Sequence, residues 1–211
     1  MSQRLKVPPT KSALLNLKRQ VDFLQQGHDM LERKRDLLTR LVYERLKQYR
    51  EMRRETRETL DRAYQWLGIA HLRMGETLLR QAGMALGPGI DVSILPRSHI
   101  GVEYPSVKAS TLPLQPVGLM WTDASFDEAR HQLLDLAALL ARQGEAETAL
   151  WRLLAEQRKT QKRVNALKYN VIPRYQETIR FIEANLEEEE RNALFQVKLL
   201  RQQQAGAHSK S

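Results

Sequence analysis

Residues 14–52 read LLNLKRQVDFLQQGHDMLERKRDLLTRLVYERLKQYREM, and the spacing of their apolar side chains decides the fold. Leu14, Leu17, Val21 and Leu24 begin a three-then-four alternation that continues through Leu31, Leu38, Val42, Tyr49 and Met52. Those residues fill nine of twelve seam positions, and His28, Arg35 and Arg45 take the rest. A two-position stripe held this long is a coiled-coil seam, narrower than the buried face of an ordinary globular helix. Its apolar positions have no partner within the same helix, so a second long helix is required.

The stripe continues through Leu60, Ala63, Leu67 and Ala70 towards Gly83 and Gly87. At its start, Thr10 or Ser12 after Pro8-Pro9 serves as N-cap. About 70 residues of helix at 1.5 Å each predict a rod on the order of 100 Å long. Proline marks where it stops. Five of the eight prolines lie between Pro88 and Pro116, none occurs from Thr10 to Gly87, and only Pro173 follows Pro116. Because proline costs ~3 kcal/mol inside a helix, the pattern predicts helix, compact insert, helix.

The second arm begins near Ser125, with Asp127-Glu128 completing a capping-box pattern. Its stripe runs through Leu133, Leu136, Leu140, Leu150, Leu154 and Val164. From Val164 an eleven-residue spacing fits better (Val164, Tyr175, Leu186, Val197), so the supercoil hand is left open. Pro173 should kink this helix or be absorbed by a local loosening. Two arms joined by a short insert pair antiparallel. In the insert, Asp91–Leu95 and His99–Tyr104 alternate between turn residues and predict a β-hairpin. The expected fold is mainly α: a long antiparallel two-helix coiled coil with a small hairpin at the end opposite the termini. Its segments are a tail over 1–11, helix over 12–87, insert over 88–124, helix over 125–203 and a tail over 204–211.

Charge and composition narrow the function. Lys and Arg total 34 against 25 Asp and Glu, a formal +9. The first 84 residues hold 18 basic and 10 acidic side chains, so the first helix carries nearly all the excess. That favours an anionic partner surface. With no cysteine, disulfides, Cys-ligated metals and thiol chemistry are excluded. No apolar run approaches the ~20 residues of a membrane span, and the N-terminus has no signal-peptide core. The chain is expected to be intracellular. The five histidines never recur at i, i+3 or i, i+4; Gly87-Pro88-Gly89 lacks the Gly-Lys-Ser/Thr of a phosphate loop. No catalytic, cofactor or metal site is expected. Arg33-Lys34-Arg35 and Arg53-Arg54 with Arg57 read as solvated faces balanced by Glu51 and Glu55, or as contact surfaces. Aromatics do not interleave with them, which argues against nucleic acid. The acidic run Glu187–Glu190 is expected to form an interhelical ion-pair belt reaching from Lys18-Arg19 to Arg33–Arg35.

Several segments resemble a known family. Pro9-Thr10-Lys11-x-x-Leu14-x-x-Leu17-Lys18 and Leu31-x-Arg33-Lys34-Arg35-Asp36-Leu37-Leu38 are similar to the opening of the D-subunit family of V/A-type rotary ATPases. Arg163–Leu167, Val171-Ile172-Pro173, Ile179–Ile182, Glu187–Arg191 and Phe195-x-x-Lys198 resemble its C-terminal helix, and Ile100–Pro105 its hairpin. The resemblance implies a non-catalytic central rotor shaft without cofactor, peripheral to the membrane on its cytoplasmic side. It implies a hexameric head of three catalytic and three non-catalytic subunits around the paired termini. It also implies a small rotor protein, the F subunit, and a socket subunit on the membrane rotor ring at the hairpin end. The head-bearing residues would be Lys18, Arg19, Arg33, Lys34, Arg35, Arg163 and Lys198. Contacts to the small subunit and socket would come from Ile100, Gly101, Val102, Tyr104, Met120 and Trp121. A coiled-coil adaptor and a basic nucleic-acid-associated protein are the competing readings.

Overall fold

The computed structural model describes residues 4–117 and 122–208, with side chains up to Arg201. Two long helical arms pack together with a two-stranded antiparallel hairpin between them in sequence. In order, the elements are α1 (Lys11–Met84), β1 (Ile90–His99), β2 (Val102–Thr111), α2 (Ala124–Ala166), a π-helical turn (Leu167–Val171) and α3 (Ile172–His208). The chain divides into two compact bodies, residues 1–35 with 159–211 and residues 36–158.

In the first body, Thr10 caps α1 by accepting a hydrogen bond from the Ala13 amide at 3.2 Å. The seam is occupied as the alternation requires: Leu17 and Val21 are buried, and Leu14, Leu24, His28, Leu31 and Arg35 are half-buried. On the facing arm Thr160, Val164, Thr178 and Ile182 are buried. Thr178 avoids an unpaired hydroxyl by donating to the Arg174 carbonyl four residues back. The proline is absorbed by loosening. Pro173 has no N–H, and its ring crowds the carbonyl a turn earlier. The preceding turn therefore widens, and the Ile172 amide reaches back to Leu167 O. This wide turn advances the seam by two four-residue steps, 167 to 171 to 175, which accounts for the first eleven-residue spacing, Val164 to Tyr175; Val197, expected to continue the series, is exposed.

The segment before α1 forms a strap along α3. Leu5 N–H donates to Thr178 Oγ1 at 3.1 Å, and the Arg4 guanidinium lies 4.6 Å from the Phe181 ring centre. The chain then reverses through Pro8-Pro9, and Lys11 meets Glu190 at 2.7 Å.

In the second body the seam passes through Thr56, Thr59, Ala63 and Ala70, all buried. Leu60, read as a seam residue from sequence, is instead 36% exposed because the three-then-four steps from Met52 land on Thr56 and Thr59. Leu133 and Leu140 also leave the expected stripe for partly exposed positions beside it. Helix α1 is interrupted at Gly75 (φ 76°, ψ 162°), a conformation open essentially to glycine alone. Just before this break, Arg73 donates to the Asp123 carboxylate at 2.9 Å. Asp123, not Ser125, stands at the head of α2: its carbonyl accepts from the Phe126 amide and its carboxylate accepts from Ser125 Oγ. The Arg73 guanidinium, with Ser125, lowers the Asp123 pKa to about 2.

The hairpin pairs residue for residue from Ile90↔Thr111 to His99↔Val102. Ile100-Gly101 forms its two-residue turn with φ of 53° and 74°. Positive φ at both positions is the primed turn that matches strand twist, and it is costly for a β-branched residue. Ile100 is held there by packing on a cluster of Leu38, Val102 and Leu153, with Leu41 and Val42 beside it. The strands lie back along α2. Val107 N–H donates to Glu145 Oε2 at 2.7 Å, and Arg152 donates to the Glu103 carbonyl at 2.8 Å. These bonds occupy polar groups of β2 that β1 leaves free.

Candidate functional site: the paired helix ends and the hairpin body

The end of α3 has the wrong surface for a helix in water. Lys11, the first residue of α1, pairs with Glu190, and every side chain from 187 to 201 is exposed. Among them are Leu194, Phe195, Val197, Leu199 and Leu200, each 43–64% exposed. At about 100° per residue these five point in all directions around the helix. Arg191, Gln196, Lys198 and Arg201 lie between them, so apolar side chains are dispersed around the whole circumference, and only a partner that surrounds the helix covers them all. A flat partner would cover only one side of it.

Two interhelical ion pairs lie below this tip: Lys11–Glu190 and Lys18–Glu183, both 2.7 Å. One heptad forward on α1 is one heptad back on α3, as two antiparallel helices of equal rise require. Lys11 and Glu190 reinforce each other: the hydrogen bond raises the lysine pKa and lowers the glutamate pKa. The ion-pair belt is shorter than the sequence suggests. In this register Arg33–Arg35 stand opposite the π turn, far from Glu187–Glu190, and Glu188 pairs within its own helix with Arg191.

The expected bearing residues fall into two groups. Arg19, Arg33, Arg163 and Lys198 are exposed. Lys18 is committed to Glu183, Arg35 bonds Glu32, and Lys34 is half-buried. His28 is also in the seam, its side chain 13% exposed and bonded through Nδ1 to Asp29 Oδ1. Ligating atoms of His28, Asp29 and Glu32 lie within 4.8 Å of one another. They come from one helical turn, with Asp29 in solvent and His28 in the seam.

At the hairpin, Val102 and Tyr104 are 6% and 5% exposed and turn onto the chain itself. Gly101 is exposed, and Ile100 is half-buried in the Leu38 cluster. The exposed apolar side chains of the strands are Val92, Ile94 and Leu95, 43%, 65% and 51% exposed. Met120 and Trp121 lie outside the described residues. Sequence periodicity marks the hairpin strands but not which face α2 covers, since both faces carry apolar residues.

Among the described residues no helix is long and apolar enough to cross a membrane. The family model for the ATP synthase D subunit matches residues 13–202. The chain belongs to the ATP synthase D-subunit family. It is 33% identical over 205 residues to the A-type ATP synthase D subunit of Pyrococcus furiosus, covering 95% of this chain and 96% of the relative. It is equally similar, over 202 residues, to the V-type ATP synthase D subunit of Thermotoga neapolitana, covering 95% and 100%. The A-type D subunit of Methanosphaera stadtmanae is 33% identical over 199 residues, covering 92% of this chain and 93% of the relative. This chain is therefore a D subunit of the A/V-type class, and the seam, the hairpin and Pro173 with its widened turn all fall within the matched span.

Proposed function

We propose that this D subunit is the central rotor shaft of its ATP synthase and is itself non-catalytic. Its paired helix ends stand in the bore of a hexameric head of three catalytic and three non-catalytic subunits. The hairpin body meets the small F subunit and the socket subunit on the membrane rotor ring, so that rotation couples ATP chemistry to ion movement. The observation that carries this reading is the tip of α3, whose five exposed apolar side chains point in all directions, because a sleeve buries every side of it. Burying five such side chains at about 25 cal/mol per Å² gives enough to hold a shaft without any specific polar lock. Arg19, Arg33, Arg163 and Lys198 are the exposed cations placed to meet acidic groups of the bore. The chain needs no cofactor for this role and stays peripheral to the membrane.

The test is native mass spectrometry of complexes purified through a tag in the 88–124 insert. One copy of this chain with three copies each of two large subunits is expected. Leu194→Glu with Val197→Glu should weaken head association at least about 100-fold while leaving the fold intact, since both positions are exposed. A complex that keeps its head despite both charges, or a homodimer without large subunits, contradicts the proposal.

A further inference from the structure

Four arginines in the second body have no ionic partner among the described residues. Arg50, Arg53, Arg54 and Arg57 recur at i, i+3, i+4 and i+7, so they share an arc of about 100° on α1. All four are exposed, and among the described residues none forms an ion pair or hydrogen bond. Glu51 and Glu55, the neighbours expected to balance them, pair with none of them. Like charges at these spacings repel, so the isolated helix is penalised by the arrangement.

The arginines edge an open groove of about 560 Å³ whose other walls are Leu60 and Leu140, with Gln143 and Thr56 beneath. Leu60 and Leu140 are 36% and 49% exposed, and Gln143 Oε1 is buried without a partner. The groove thus presents four charged donors and an apolar wall on each helix. A phosphate-type anion answers only the first of these, because it has nothing for the leucines.

We infer that the Arg50–Arg57 groove is the docking site of an acidic, amphipathic helix belonging to another protein of the complex. Its carboxylates would take the guanidinium forks in paired hydrogen bonds, and its apolar stripe would cover Leu60 and Leu140. The inference rests on the chain's place in a multisubunit complex, but at a site separate from the α3 tip. Charge complementarity selects the occupant, with the groove contributing specificity and association rate.

The experiment uses the assembled complex. Leu60→p-benzoylphenylalanine is photolysed in it, and Arg53→Glu with Arg54→Glu is analysed by native mass spectrometry beside the Leu194→Glu/Val197→Glu variant. The expected cross-link is to a helix rich in Asp and Glu. The arginine variant should keep the hexameric head and release the protein bearing that helix, with affinity about 100-fold lower at low salt and the gap narrowing at high salt. Reversing two carboxylates of the cross-linked helix to Arg should restore binding. Cross-linking to lipid, to a basic or uncharged segment or to nothing would overturn the inference. So would a full complement of subunits at every salt, or tripolyphosphate binding that displaces no protein and vanishes in the arginine variant. If the tip variant also leaves the complex unchanged, the shaft proposal fails as well; if it loses the head while the arginine variant is silent, only the groove inference fails.

Discussion

The two bodies solve the same problem differently. A two-helix seam buries only a narrow stripe, and apolar side chains beside it need another cover. In the body of residues 36–158 the chain provides part of that cover itself: the hairpin lies on α2, and Val102 and Tyr104 are buried. In the body of residues 1–35 with 159–211, the strap of residues 4–10 meets Thr178 and Phe181, and the apolar side chains at the α3 tip stay exposed. The hairpin covers part of the apolar surface of one body, Leu60, Leu140 and Trp151 staying exposed there, whereas the apolar side chains at the α3 tip are open on every side.

This contrast is most sharply tested by two deletions in the core. Leu38 and Ile182 are both fully buried. Leu38 is enclosed by two helices and the hairpin, whereas Ile182 lies in a two-helix seam open at its sides. Truncation to alanine should cost about 2–5 kcal/mol in each case, with Leu38→Ala in the upper part and Ile182→Ala in the lower, because only the open seam can collapse around the cavity. Denaturant unfolding measures both. Equal costs, or unchanged hydrogen exchange in β2 when Leu38 is cut, would remove the distinction.

A smaller effect is expected at the break in α1. A β-carbon at Gly75 meets no atom, so Gly75→Ala tests the backbone conformation alone. It should destabilise by about 1–3 kcal/mol if the break persists, and it should weaken the Arg73–Asp123 bond that sits beside it. A rise in stability would mean that a continuous helix suits this body equally well.

The smallest effect is at Asp123. Its folded pKa, about 2, lies below its ordinary value of 3.8, so the contribution is complete above about pH 4 and is lost as pH falls through 3.8 towards 2. Comparing Asp123→Asn with the parent across pH 2–6, the difference should be constant above pH 4 and shrink below it. A difference that grows on acidification would carry the wrong sign.

Much of this is legible in the sequence because local rules act there. The three-then-four alternation marks the seam even through His28 and Arg35, Thr10 caps α1, and Pro173 loosens its own turn. What escapes depends on contacts between distant segments. Nothing local says that the hairpin lies on α2, that Leu5 bonds Thr178 or that Glu190 meets Lys11 instead of the Arg33–Arg35 cluster. Leu60 misleads because its apolarity outweighs its register, and Thr59 carries the seam instead. Gly75 bears no local mark that separates it from a glycine tolerated inside a helix, and only its φ does so. The arginine groove combines both obstacles: the four cations are visible in the sequence, but their lack of partners is a fact of three dimensions.

The central claim is that the α3 tip turns inside its sleeve. The chain has no cysteine, so Val197→Cys introduces a unique thiol at an exposed tip position. In the assembled complex, with a cysteine placed on the facing wall of the head, oxidation should join shaft to head and stop ATP hydrolysis, and reduction should restore it. Undiminished hydrolysis with the cross-link in place would contradict the account.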